Sequence, residues 1–300
     1  MSALRTWHIL GEPCLHCLPP STVTSQSPLP RFKFYLTNNT TTILNLAHCS
    51  NLTDPPRTRS FKSPGSSPWS MADSDSSPVD AAYTEIIVVR HGETEWNADG
   101  RLQGHLDVEL NEIGKQQAVS VADRLSKESN ISVVYSSDLK RASDTAQTIA
   151  ASCGGLEVIK DPGLRERNLG DLQGHVLREL DKVNSKAYQA ITSHRTDVEI
   201  PGGGESLDQL YQRCTSSLQR IALKHRGERV VVVTHGGVIR ALYKHACPKA
   251  KSAGKILNTS INIFHLFDQN DWKIKVWGDV SHLNPTRYLE TGFGGDRTSG

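Results

Sequence analysis

Two histidines of this 300-residue chain each stand just after a short apolar run and directly before a glycine. His91 comes after residues 86–89, which read Ile-Ile-Val-Val, and His235 comes after residues 230–233, which are all valine. Continuous apolar runs of this length are typical of parallel strands covered on both faces. The carboxyl ends of such strands lie at one edge of the sheet, where open α/β proteins bind their ligands. One His-Gly pair would be an ordinary structural feature, but two at matching strand ends predict that both imidazoles face one ligand site.

Two arginines are expected at the same edge of the sheet. Arg90 directly precedes His91, and Arg141 begins a helical segment just after the apolar run at 131–135. A guanidinium group binds two phosphate oxygens at once, which the ammonium group of lysine does not do. Either arginine alone would be interpreted as a solvated surface charge, but two arginines and two histidines packed together require an anion. A phosphate monoester, with a charge of about −1.5 to −2 at neutral pH, would supply it.

The remaining pattern predicts strands and helices that alternate along the chain. Asn111 is a natural N-cap for a helix to about Lys127, and Ser206 and Gln209 form a capping-box pattern before the clearest helix. The other expected helices cover residues 139–149, 176–191 and 238–246, and the expected strands cover residues 85–89, 131–135, 156–159, 229–234, 261–267 and 272–277. This alternation predicts an α/β fold: a three-layer sandwich with a mostly parallel central sheet, helices on both faces and a closing antiparallel hairpin.

Composition divides the chain into three parts. Residues 1–70 contain 19 Ser/Thr and nine of the 14 prolines, and their six Lys/Arg against two acids give a charge of +4. The total of +2 therefore leaves residues 71–300 at −2, which argues against a nucleic-acid-binding face. We expect residues 1–82 to be a disordered extension and linker, residues 83–284 to form the single domain, and residues 285–300 to be a flexible tail.

The polar N-terminal part has two interpretations. Its many hydroxyls, few acids and scattered arginines fit a transit peptide for a plastid or mitochondrion, whereas Met71 fits a second start of a cytoplasmic protein. No run of about 18 apolar residues exists, so no membrane partner is expected. Six sparse cysteines indicate an intracellular, reducing compartment, and Cys14 and Cys17 lack the second pair that a zinc site requires.

Six blocks of residues follow one another in a characteristic order between residues 85 and 280. They are R-H-G-E-T-E-W-N at 90–97, R-L-Q-G at 101–104, S-S-D-L-K-R-A at 136–142, L-R-E-R-N-L-G at 164–170, G-G-E-S-L at 203–207 and T-H-G-G at 234–237. In residue type and order these blocks resemble the histidine phosphatase superfamily, in its phosphoglycerate-mutase-like branch. The resemblance implies an enzyme that forms a phosphohistidine.

The resemblance also implies roles for particular residues. His91 would be the nucleophile, and Glu166 would protonate the leaving oxygen and then activate water. The residues expected to hold the phosphoryl group are Arg90, Asn97, Arg141 and His235. Gln103 and the backbone of Gly236 would help to shape the pocket. The resemblance implies no metal and no other cofactor.

Elementary chemistry agrees with these roles. A nucleophilic imidazole needs a lone pair on one nitrogen and a fixed partner at the other, and nearby arginines repel the imidazolium form. A departing alkoxide needs a proton, so one carboxylic acid must hold a proton near neutral pH. Other polar residues are expected to be structural: Glu93 would orient its loop, Glu205 would begin a helix, and His105 and His282 would be surface or loop residues.

Three functions remain open at this point. Glycolytic mutases of the family share these site residues, but between the positions of Glu166 and His235 they carry added lid segments, and they have His-Tyr where this chain has Asn168-Leu169. The shorter segment favours an open pocket and hydrolysis by water. The alternatives are phosphoryl transfer primed by a bisphosphate, and a binding module without catalysis, which the presence of both His91 and Glu166 disfavours. The expected partner is a small phosphorylated metabolite, whose identity and the oligomeric state are not specified by the sequence.

Overall fold

A computed structural model of the protein describes residues 83–183 and 185–283. Its central sheet has six strands in the order β3-β2-β4-β1-β5-β6. The strands are β1 (Tyr83–Arg90), β2 (Ile131–Ser136), β3 (Val158–Lys160), β4 (Arg229–Thr234), β5 (Ile261–Phe267) and β6 (Trp272–Asp279). The first four run parallel, and β5 and β6 form an antiparallel hairpin beside β1. The predicted α/β class, with a mostly parallel sheet and a closing hairpin, is confirmed.

Helices cover both faces of this sheet. The helices are α1 (Glu95–Ala98), α2 (Glu112–Leu125), α3 (Lys140–Ser152), α4 (Leu180–Val183), α5 (Ser185–Thr192), α6 (Leu207–Lys224) and α7 (Gly236–Ala246). Because successive side chains of a strand point to opposite faces, Ile86 and Val88 pack with α6 and α7, and Ile87 and Val89 pack with α2 and α3. The central strands are therefore buried on both sides, as the three-layer prediction requires.

Local capping signals explain where two of the long helices begin. The side chain of Asn111 accepts a hydrogen bond of 2.8 Å from the N–H of Gly114 at the start of α2. At the start of α6, Ser206 and Gln209 exchange hydrogen bonds of 2.8 and 3.1 Å, which completes the predicted capping box. Each cap satisfies backbone N–H groups that have no partner within the helix.

A third apolar cluster lies apart from the two sheet-facing cores. Its buried members are Leu102, Leu169, Leu172, Leu180, Ala187, Ala190 and Ile200. They come from the segments that follow α1 and precede α6, together with α4 and α5. This cluster fixes those connecting segments, two of which contribute to the site described below.

Two predicted elements differ from the structure. The expected helix at 176–191 begins as a 3₁₀ turn at Leu177–Glu179, and α4 and α5 follow it within the expected range. The expected strand at 156–159 begins only at Val158, because the N–H of Leu156 is bonded to the carbonyl of Ala150 in the turn that ends α3.

Several predictions concern residues outside those that the structure describes. These are the disordered extension and transit peptide within residues 1–82, the Cys14–Cys17 pair, and the flexible tail at 285–300. Within the described ranges, no helix has the length and apolarity needed to cross a bilayer.

The first turn of α2 lies unusually close to the loop after β1. A Cβ atom on Gly114 would sit 2.0 Å from the carbonyl oxygen of Glu93, and one on Gly92 would sit 2.5 Å from the carbonyl oxygen of Gly114. Real Cβ atoms do not approach backbone oxygens so closely. Glycine at both positions therefore lets the helix pack directly against the loop that carries His91.

We expect Gly114→Ala to lower the free energy of unfolding by about 1–2 kcal/mol. Alanine favours a helix over glycine by roughly 1 kcal/mol, but overpacking against rigid backbone costs about 1–3 kcal/mol. Urea unfolding measures the difference. The control is Val119→Ala at an exposed position of the same helix, where we expect a change within about 0.5 kcal/mol. Equal stability of Gly114→Ala and the parent chain would contradict the close packing.

Candidate active site

The carboxyl ends of β1 and β4 bring the two predicted histidines together. Arg90 is the register partner of Thr234, and the N–H of His91 donates to the carbonyl of Thr234 at 2.9 Å. His91 directly follows the last residue of β1, and His235 directly follows the last residue of β4. The centroids of the two imidazole rings lie 5.1 Å apart. Both side chains are almost completely buried. The pairing of two neighbouring parallel strands thus determines the position of both imidazoles.

The surroundings of His91 fix its tautomer. Its Nδ1 lies 2.6 Å from the carbonyl oxygen of Gly92, so Nδ1–H donates there and the lone pair of the neutral ring lies on Nε2. Burial holds the pKa of His91 well below its ordinary value, and the charges of Arg141 and Arg90 lower it further. His91 is therefore a neutral base at pH 7 with Nε2 available for attack.

Arg90 and Arg141 are buried and are anchored by backbone carbonyls. Nη1 of Arg90 donates to the carbonyl of Ile256 at 2.6 Å, and the two terminal nitrogens of Arg141 donate to the carbonyls of Leu106 and Gly104 at 2.9 and 2.8 Å. Burial lowers the pKa of each guanidinium to about 10, so both remain cations at neutral pH. Two buried cations in one place favour the binding of an anion between them.

His235 is oriented by a serine on the neighbouring strand end. Its Nε2 lies 2.8 Å from Oγ of Ser137, while its Nδ1 is buried and has no hydrogen-bond partner among the described residues. Burial again holds the pKa well below its ordinary value, with further contributions from Arg141 and His91. This ring is neutral as well and presents one unpaired nitrogen beside His91.

Glu166, on the loop after β3, lines the same cavity as Arg90, His91 and Arg141. The N–H of Arg167 donates to its Oε1 at 2.8 Å, and the N–H of Gly237, in the first turn of α7, donates to its Oε2 at 3.1 Å. The sequence indicated that Gly236 helps to shape the pocket. Gly236 does not line the cavity, and the neighbouring Gly237 instead holds Glu166 with an N–H that the helix leaves unpaired.

A cavity of about 340 Å³, which includes its open mouth, lies where these residues converge. The expected site residues that line it are Arg90, His91, Asn97, Gln103, Arg141 and Glu166. His235 is placed beside His91 but is not part of the cavity wall. The cavity wall also contains residues that were not predicted, namely Arg101, Leu102, Gly104 and Leu169. Among the described residues, no three His, Cys, Asp or Glu side chains gather closely enough to hold a metal ion.

His105 lies in a loop, as expected, and is half-buried there. Its Nε2 lies 2.7 Å from the carbonyl oxygen of Glu166, and burial lowers its pKa, so the neutral ring donates to that oxygen. The cause is the turn at Gln103–Leu106, which brings this loop against the segment of Glu166. Glu93 acts as expected, since its carboxylate accepts a hydrogen bond of 3.0 Å from Asn111 and does not line the cavity.

A strained turn that the sequence did not reveal supports the end of β1. Thr259 has a φ of +55°, a conformation that disfavours β-branched side chains, and its N–H donates to the carbonyl of Arg90 at 3.1 Å. The side-chain amide of Asn258 donates to the carbonyl of His91 at 3.0 Å. His282, expected in a loop, lies in a turn and contacts Oγ1 of Thr259 at 3.2 Å, and burial lowers its pKa to about 4. The turn at Asn258 and Thr259 therefore holds the backbone carbonyls of Arg90 and His91 in place.

Comparison with known proteins agrees with this geometry. The family model for the histidine phosphatase superfamily, branch 1, matches residues 86–280. Phosphoglycerate mutase-like protein 4 of Arabidopsis thaliana is 66% identical over 226 residues, which is 75% of this chain and 97% of that protein. The metal-independent phosphoserine phosphatase of the same plant is 54% identical over 218 residues, which is 73% of this chain and 91% of that protein.

A solved structure shares the fold as well. The phosphoserine phosphatase of Entamoeba histolytica, in complex with phosphoserine, superposes with a TM-score of 0.58 at 30% identity, covering 67% of this chain and all of that one. The match of the family model extends from β1 to the end of β6, and every residue of the described site lies within it. The chain therefore belongs to the histidine phosphatase superfamily, in branch 1.

Proposed function

We propose that this chain is a metal-independent phosphatase, which hydrolyses a small organic phosphomonoester through a phosphohistidine on His91. The observation that carries the proposal is a buried, neutral imidazole with its lone pair on Nε2, placed beside two buried guanidinium groups. The membership of the family and the 54% identity to a metal-independent phosphoserine phosphatase support it.

In the first step, Nε2 of His91 attacks phosphorus and the ester P–O bond breaks. Glu166 gives its proton to the leaving oxygen, so an alcohol departs and the phosphoryl group stays on the ring. Arg90 and Arg141 neutralise the charge of the non-bridging oxygens, which is the main electrostatic task in phosphoryl transfer. Asn97 and Gln103, which line the cavity, would complete the phosphoryl site together with His235, whose ring lies beside that of His91.

In the second step, water attacks phosphorus and the P–N bond breaks. Glu166, now ionised, takes a proton from the water, and inorganic phosphate leaves with His91 restored as a neutral base. Each cycle therefore returns Glu166 to its protonated state and requires no other reactant than water.

The substrate class is inferred from the positive charge of the cavity and from the ligands of a solved relative. We propose a small phosphorylated metabolite, and the complexes of the Entamoeba histolytica enzyme with phosphoserine and with 3-phosphoglyceric acid make these two compounds the first to test. Mutase activity primed by a bisphosphate is the second candidate, since one similar protein is named phosphoglycerate mutase-like. We also propose an intracellular location, because the six cysteines of the chain are too sparse for a disulfide framework.

The two activities are separated by a panel of phosphomonoesters assayed with and without 2,3-bisphosphoglycerate. We expect release of inorganic phosphate from at least one of phosphoserine and 3-phosphoglycerate without the bisphosphate, because water alone completes the cycle. Inorganic phosphate is measured by a colorimetric assay, and isomerised phosphoglycerate by coupled assay. Strict dependence on the bisphosphate, with isomerised product and little free phosphate, would favour the mutase.

We expect His91→Ala to abolish acid-labile phosphate labelling of the protein and to lower phosphatase activity by at least about 10³-fold, because no other side chain would accept the phosphoryl group. Rapid quenching with labelled substrate measures the phosphoprotein. The matched control is His194→Ala, which removes an exposed histidine and should keep both properties. Labelling that persists in His91→Ala would move the nucleophile to another residue.

The neutral state of both imidazoles should make stability depend on pH. In the folded protein the pKa values of His91 and His235 lie well below 6.5, so only the unfolded chain takes up these protons as the pH falls below 6.5. Stability is therefore lost towards acid pH, by about 1.4 kcal/mol for each imidazole between pH 7.5 and 5.5. Between the two pH values, urea unfolding of His235→Gln should therefore show a loss of stability that is smaller than that of the parent chain by about 1.4 kcal/mol. The exposed control His194→Gln should match the parent, and an unchanged loss in His235→Gln would refute the assigned neutral state.

A further inference from the structure

An ion pair outside the cavity wall contacts the segment that carries Glu166. Arg213, on α6, donates from Nε to Oε1 of Glu205 at 2.8 Å and from Nη2 to Oε2 of the same carboxylate at 2.8 Å. The two side chains retain only 23% and 20% of their solvent exposure. Neither residue lines the cavity. The bidentate geometry makes this pair rigid.

The guanidinium group of Arg213 also binds three backbone carbonyls of the segment that contains Glu166. Its Nη1 donates to the carbonyls of Gly163 and Arg165, both at 2.9 Å, and its Nη2 donates to the carbonyl of Glu166 at 3.1 Å. A guanidinium group has five N–H donors, and with the two bonds to Glu205 all five are used. A lysine ammonium group has three donors and no planar fork, so it could not make the same set of contacts.

Glu205 extends the same contact beyond Glu166. Its Oε2 accepts a hydrogen bond of 2.8 Å from the N–H of Asn168, and its own N–H donates to the carbonyl of Asn168 at 2.8 Å. The carbonyl of Glu205 accepts from Nε of Arg167 at 3.0 Å. The pair thus holds the backbone on both sides of Glu166, from residue 163 to residue 168.

We propose that Arg213 and Glu205 form a positioning pair that sets the carboxylate of Glu166 within reach of the leaving oxygen. The inference rests on the proposed function and adds to it two residues that touch neither substrate nor reacting atoms. The carboxylate itself is held by the N–H groups of Arg167 and Gly237, and the first of these belongs to the held segment. A shift of the segment by about 1 Å would misplace the acid, which costs up to roughly 10²-fold in rate.

The leaving group provides a test that a merely structural role would not pass. An alkyl phosphate such as phosphoserine needs a proton on its departing oxygen, whereas the p-nitrophenolate of p-nitrophenyl phosphate leaves as an anion. In a two-step hydrolysis, kcat/KM reports the steps up to departure of the first product. Loss of the position of Glu166 should therefore lower kcat/KM for phosphoserine much more than for p-nitrophenyl phosphate.

For Arg213→Gln we expect kcat/KM to fall about 30- to 100-fold with the best alkyl substrate of the panel, phosphoserine or 3-phosphoglycerate, and less than about threefold with p-nitrophenyl phosphate. Arg213→Lys should give an intermediate loss. In a Glu166→Gln background, adding Arg213→Gln should change kcat/KM for the alkyl substrate less than about threefold, since the acid is already absent. Glu205→Gln, which keeps the shape of the side chain, serves as the second variant where Arg213→Gln does not fold.

The matched control is Arg195→Gln. Arg195 binds Asp197 with the same bidentate geometry, at 3.0 and 2.7 Å, but on the exposed surface, so both kcat/KM values should be unchanged. Two results would overturn the positioning role. The first is an equal loss of kcat/KM with the alkyl substrate and with p-nitrophenyl phosphate in a folded variant. The second is full additivity of the effects of Arg213→Gln and Glu166→Gln on kcat/KM. A parent enzyme that hydrolyses no phosphomonoester would instead reject the proposed function itself.

Discussion

Two guanidinium groups buried beside two imidazoles form the electrostatic centre on which this site depends. Arginine is far more basic than histidine, so burial and mutual repulsion remove the protons from His91 and His235 while Arg90 and Arg141 stay charged. The result is two cations next to two neutral bases. The same repulsion that prepares the nucleophile also prepares the anion site, because a phosphate group removes the cost of bringing the cations together.

Backbone carbonyls of two connecting segments support this arrangement. The carbonyl oxygens of Ile256, Leu106 and Gly104 accept hydrogen bonds from the two guanidinium groups without adding a full negative charge. A carboxylate in those positions would neutralise the arginines and compete with the substrate phosphate. Anchoring by neutral carbonyls therefore fixes the direction of each guanidinium group.

The sequence was sufficient to predict the parts that depend on local signals. The apolar runs before His91 and His235 predicted two strands that end at the same edge of the sheet, and the cap residues Asn111 and Ser206 predicted the beginnings of α2 and α6. The contacts of Thr259 with the end of β1 could not be predicted in this way. They join residues more than 160 positions apart and depend on a positive φ at a residue type that rarely adopts one.

The same limit explains why the contacts of His105 and Arg213 with the loop around Glu166 could not be predicted. Each bonds to backbone carbonyls of the loop around Glu166, and a carbonyl is present at every position of a chain, so no residue pattern indicates which one is bound. Ser206 and Gln209 indicated the start of α6, which is correct, but the contact of Glu205 with Asn168 appears only after the fold brings the two segments together. Side-chain chemistry is visible in a sequence, whereas support of the backbone is visible only in a structure.

The way in which Glu166 is held suits a group that must both give and take a proton. A direct ion pair between an arginine and its carboxylate would favour the ionised form throughout and hinder donation to the leaving oxygen. Arg213 instead forms its ion pair with Glu205, and it contacts Glu166 only at the backbone carbonyl. Its hold on the loop is therefore nearly independent of whether Glu166 carries a proton, and the segment keeps its position through both steps of the cycle. Arg213 and Glu205 thus control the position of a carboxyl group that acts first as an acid and then as a base.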